Sequence, residues 1–133
     1  MAPSARVLVA DDDPEQLQMV ADGLTLLGVE VVRASNGAEL IERLAHEGPF
    51  ALVITDIRMP WMDGLKAMHA ARAAGLGTAV IVMTALADAR VDAMVHALGE
   101  KAVLLRKPFS LADLESAVQT LLARRPATTG RAA

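Results

Sequence analysis

The sequence predicts a doubly wound α/β fold, a parallel five-stranded sheet covered by helices on both faces, and three observations carry that prediction. Five short apolar runs alternate strictly with five stretches of helical periodicity. Most of the runs are rich in Val, Ile or Leu and bounded by Gly, Asp or Pro, as strands buried on both faces should be. Right-handed crossovers between successive parallel strands place the intervening helices over both faces of the sheet.

The first run, Arg6–Ala10, ends in three aspartates. Asp13-Pro14 follows, an N-cap with proline at the first helical position. Leu17, Val20, Leu24 and Leu27 then recur at helical spacing until Gly28 stops the helix. The second run, Val29–Arg33, is the most polar and is the edge candidate. Leu40, Ile41 and Leu44 form the stripe of the next helix, which ends near Gly48-Pro49. Ala51–Thr55 is the third strand, and an Ala-rich helix over Gly64–Ala74 closes at Gly75. Ala79–Thr84 is the fourth strand. Leu86–Leu98, with Val91, Met94 and Val95 on one side, reads as the fourth helix and stops at Gly99. Ala102–Arg106 is the fifth strand. Ser110 is placed to cap a last helix whose stripe is Leu111, Leu114, Val118, Leu121 and Leu122.

At 133 residues the chain fits one domain. Hydrophobic residues make up 53%, enough for one core, while aromatics reach only 2%, so that core must be aliphatic. A net charge of −3 offers no basic surface for nucleic acid. The absence of cysteine excludes disulfides, thiolate metal sites and a thiol nucleophile together. No apolar run is long enough to span a bilayer, and the first residues do not resemble a signal peptide. The expectation is a cytoplasmic domain over residues 1–123, followed by a flexible tail or linker stump over 124–133.

Polar residues fall where this topology makes them meet. Asp11 and Asp12 follow the first strand, Asp56 the third and Lys107 the fifth, while Thr84 ends the fourth. Ligands in open α/β sheets bind outside the carboxyl ends of the strands, so these five residues converge on one cleft. Three carboxylates at close quarters resist ionising together, and a hard divalent cation with oxygen ligands resolves that conflict. One lysine and one hydroxyl beside them can grip an anion. The set describes an aspartyl-phosphate site: a carboxylate nucleophile, Mg2+, a cation and a hydroxyl donor.

The segments VLVADDD, LVITDIRMPWMDG, VIVMTA and LLRKPF resemble the signature segments of response-regulator receiver domains, the CheY-like family of two-component signalling. The resemblance runs from about Arg6 to Ala123. It implies a flavodoxin-like (βα)5 sheet of order 2-1-3-4-5. It implies that Asp56 accepts phosphate from the phosphohistidine of a histidine kinase or phosphotransfer protein. Asp12 would ligate Mg2+ directly and Asp11 would assist, with the backbone carbonyl of Arg58 as a further ligand. Lys107 would pair with the phosphate, Thr84 would swing to hydrogen-bond it, and a small Ala85 would leave the acceptor accessible. A cis Lys107–Pro108 peptide is also implied, as is a partner surface for a downstream effector on the fourth and fifth helices.

Taken alone, each of these residues has a plainer reading. Asp13 is a cap, Asp63-Gly64 and Met59-Pro60 are turn chemistry, and Thr84 is an ordinary β-branched strand residue. His46, His69 and His96 lie on separate helices with no metal-binding spacing, and the seven methionines read as core filler. The chain departs from the family at Leu104, where an aromatic commonly changes rotamer with the threonine. Either Leu104 makes a weaker packing switch or output takes another route. That departure keeps open an alternative function, a degenerate receiver acting only as a protein-interaction module. A Mg2+-dependent phosphohydrolase is a third reading, although no insertion is long enough for a substrate cap. Apart from its own phosphoryl transfer and slow dephosphorylation, the leading reading is not an enzyme.

Overall fold

The computed structural model describes residues 5–57, 64–85 and 88–123. The expectations at Arg58, Met59-Pro60 and Asp63, the first residues of the predicted fourth helix, and the tail from Arg124 lie outside these residues. Ten elements alternate in chain order: β1 (Arg6–Ala10), α1 (Pro14–Leu26), β2 (Glu30–Ala34), α2 (Gly37–His46), β3 (Leu52–Asp56), α3 (Gly64–Ala73), β4 (Ala79–Thr84), α4 (Ala89–His96), β5 (Ala102–Arg106) and α5 (Leu111–Ala123). All five strands pair in parallel in the order β2-β1-β3-β4-β5. This is the doubly wound topology, with its switch point between β1 and β3.

Side chains alternate across the sheet and define two cores. Val7, Val9, Leu52, Ile54, Ile81 and Met83 meet Leu17, Val20 and Leu24 of α1 and Leu114, Val118 and Leu121 of α5. Leu8, Val53, Val80 and Val82 meet Leu40 of α2, Met68 of α3, and Val91 and Val95 of α4. Each such side chain, fully buried, contributes about 1.5–3 kcal/mol of transfer free energy. The cores are aliphatic, with Phe50 as the buried aromatic exception among the described residues. The Arg6 guanidinium stands 4.9 Å from the centre of its ring. Of the described methionines, Met68 and Met83 are core, whereas Met19 and Met94 are each 39% exposed, so core filler describes only half of them.

Local signals set most boundaries. The Asp13 carboxylate accepts from the Glu15 and Gln16 N–H groups, and Pro14 opens α1. Gly28 adopts φ 81° after the helix, a left-handed conformation that costs glycine little. Asn36 caps α2 by accepting from the Glu39 N–H at 2.8 Å. The fourth helix starts at Ala89, where Asp88 accepts from the Arg90 N–H and acts as N-cap. β2 and β3 each run one residue later than expected, with Val29 instead donating to Leu24 at the end of α1. No helix among the described residues is long and apolar enough to cross a membrane.

Candidate functional site

The strand carboxyl ends present the polar residues together. Asp11 extends β1 by donating its N–H to the Ala34 carbonyl at 3.1 Å. Its carboxylate turns inward, is 1% exposed, and accepts from the Asp13 N–H at 2.9 Å. Asp12, next in the chain, is exposed. Asp56 ends β3 with 14% of its side chain exposed. One carboxylate oxygen from each of Asp11, Asp12 and Asp56 lies within 4.8 Å of the others, the one such acidic group among the described residues. None of the three histidines joins it. His69 lies beside the Met94 carbonyl at 3.1 Å, and His46 and His96 are exposed.

Lys107 is delivered from the far side of the cleft. Its N–H donates to the Thr84 carbonyl at 2.7 Å, fixing it beside the end of β4, and the Lys107–Pro108 peptide that follows is cis. Its ammonium donates to Asp56 Oδ2 at 3.0 Å and to Asp11 Oδ2 at 3.4 Å. Burial penalises the Lys107 ammonium, yet the hydrogen bond to Asp56 and the two nearby carboxylates leave its pKa raised. Asp11 shows the opposite balance. Burial lifts its carboxyl above the ordinary 3.8, and the Asp13 N–H and Lys107 only partly offset this while Asp56 adds to it. One lysine among three carboxylates leaves negative charge in excess, and oxygen donors this close suit a hard cation such as Mg2+.

Thr84 is 2% exposed and lies one position past Met83, the register partner of Asp56. Ala85 beyond it is exposed. Leu104 stands apart from the carboxylates, half-buried, paired with Val82 and packed against the core beneath α2, α3 and α4.

Two residues of this region were given no part in the site by the sequence. Thr55 is fully buried, and its hydroxyl donates to the Asp56 carbonyl at 2.9 Å. Gly64, read as turn chemistry, opens α3 directly against that pair. A Cβ at Gly64 would stand 2.2 Å from the Asp56 carbonyl oxygen and 2.2 Å from Thr55 Oγ1. Space rather than backbone freedom dictates this glycine. The one available signal was a glycine at a helix start, eight positions after the acidic residue of a strand.

Comparison with known proteins agrees with this fold. The family model described as the response regulator receiver domain matches residues 7–119. Over 126 residues the chain is 42% identical to the transcriptional regulatory protein PrrA of Mycobacterium leprae, covering 94% of this chain and 53% of that protein. It is 33% identical to the response regulator receiver protein CpdR of Brucella abortus, covering 88% of this chain and 96% of that protein. The chain thus spans about half of PrrA and nearly all of CpdR. Among solved structures, the chemotaxis protein CheY4 of Vibrio cholerae superposes with TM-score 0.81 at 29% identity, covering 90% of this chain and 99% of that one.

Proposed function

The chain belongs to the response regulator receiver domain family, and from that premise we propose that Asp56 is its phosphoacceptor in a two-component phosphorelay. The observation that carries the reading is the Lys107 ammonium reaching both Asp56 and Asp11, with Asp12 completing the acidic group. A carboxylate oxygen of Asp56 attacks the phosphorus of a kinase or phosphotransfer phosphohistidine. The P–N bond breaks, its electron pair leaves on the imidazole nitrogen, and an acyl phosphate forms on Asp56.

In this reading Asp12, Asp56 and the Arg58 carbonyl would hold Mg2+, with Asp11 assisting. Bound there, Mg2+ supplies charge neutralisation on the phosphoryl oxygens. Lys107 follows the transferred group and keeps its charge opposite the new oxygens. The Thr84 hydroxyl donates to one of them, and the change reaches an effector-binding surface on α4 and α5. We assign the receiver to residues 1–123.

Incubation with acetyl phosphate and Mg2+, followed by intact mass, tests the proposal. A gain of one phosphoryl group that requires Mg2+ and is absent in Asp56→Asn is the expected result. No gain in the wild-type chain overturns it in favour of an interaction-only receiver. Turnover of small phosphomonoesters would instead identify a hydrolase.

A further inference from the structure

We propose that Thr55 is a positioning residue for Asp56, its hydroxyl holding the backbone carbonyl of the residue whose carboxylate reacts; the inference rests on reading Asp56 as the acceptor. The β1–β3 ladder ends at the pair Ala10–Thr55, whereas the β3–β4 ladder continues to Asp56. Asp56 therefore stands one residue beyond its pairing with β1, at the point where the chain leaves the sheet. There the Thr55 hydroxyl donates to the Asp56 carbonyl at 2.9 Å. Gly64 closes on both oxygens, and its own N–H donates to the Ile57 carbonyl at 3.1 Å. Hydroxyl, carbonyl and the first residue of α3 thus interlock directly behind the carboxylate that Lys107 grips at 3.0 Å.

Packing does not account for the hydroxyl. Valine has nearly the same shape, favours strands, and would bury no polar atom among the apolar neighbours of this face. A buried hydroxyl has to hydrogen-bond to avoid a desolvation cost, and this one spends its bond on the acceptor's own peptide. Rotation of that peptide would re-aim the carboxylate relative to Lys107 and Asp11, and small misplacements of a nucleophile slow reaction steeply.

The test compares wild type, Thr55→Val and Thr55→Ser with acetyl phosphate and Mg2+, following intact mass over time across donor concentrations, with Tm measured for each. Thr55→Val should lower the rate constant at saturating donor on the order of tenfold, with the half-saturating donor concentration unchanged. Thr55→Ser, which keeps the hydroxyl, should restore the rate to within about twofold. Thr55→Val reacting at the wild-type rate overturns the inference, as does Thr55→Ser being as slow as Thr55→Val. If Thr55→Val does not fold, Thr55→Ala replaces it. A fast Ser variant beside a slow Ala variant supports the role, and equal rates overturn it. A wild-type chain that takes no phosphate overturns the acceptor reading itself, and this inference with it.

Discussion

Gly64 shows how much the surroundings of Asp56 depend on single atoms. An added methyl would meet the Asp56 carbonyl and Thr55 Oγ1 at 2.2 Å, far inside van der Waals contact. Gly64→Ala should therefore lose about 1–3 kcal/mol in urea unfolding, despite alanine's better helix propensity. A stability equal to wild type would mean that β3 and α3 separate freely. Asp11 makes a prediction of the other sign. Its carboxyl pKa is raised in the native state, so just above 3.8 the native chain binds more protons than the unfolded one, and stability falls as pH rises through that window. Without divalent cation, Asp11→Asn should show the higher Tm at roughly neutral pH, and its margin should narrow as pH falls toward 3.8. Lys107 keeps Asp56 as a partner in that variant. A margin that does not change with pH would contradict the burial argument. Asp11, Asp12, Asp56 and Lys107 were legible in the sequence because topology converts a position at a strand's end into proximity. Thr55 and Gly64 were not, since their importance lies in an approach between two elements that no local pattern encodes.

At the scale of elements, caps decide where helices begin. Ser110 Oγ accepts from the Asp113 N–H at 3.0 Å while the Asp113 carboxylate accepts from the Ser110 N–H at 3.1 Å, a reciprocal box at the start of α5. Ser110→Ala should cost about 1 kcal/mol in chemical unfolding, and a shift near zero would show that packing alone holds that end. The caps at Asp13 and Ser110 could be read from residue type next to an apolar stripe. The cap at Asp88 was not read, because the apolar Leu86 two positions earlier drew the predicted helix start ahead of it. The Asp88 carboxylate accepts from the Arg90 N–H and caps α4, which runs from Ala89.

At the scale of the molecule, one sheet separates two cores. Leu40 belongs to the core under α2, α3 and α4, and Leu114 to the core under α1 and α5. Replacing either by alanine should cost about 2–5 kcal/mol. The two losses should add to within about 0.5 kcal/mol in the double variant, with a single unfolding transition. Two separate transitions would show that the cores unfold independently. The parallel sheet itself followed from alternation and apolar runs. Its strand order followed only from the family resemblance, because β1, β3 and β4 are all mainly apolar and nothing in their composition ranks them.

The ion pairs of the cleft join residues 96 and 51 positions apart in sequence. A chain emerging from the ribosome displays Asp11, Asp12 and Asp56 long before the lysine that answers them. Until β5 docks, the carboxylates repel without a protein cation, and the entropic cost of closing that long loop has still to be met. If Asp56 is the acceptor as proposed, competence to take up a phosphoryl group waits for Lys107, and a chain cut before β5 should take none.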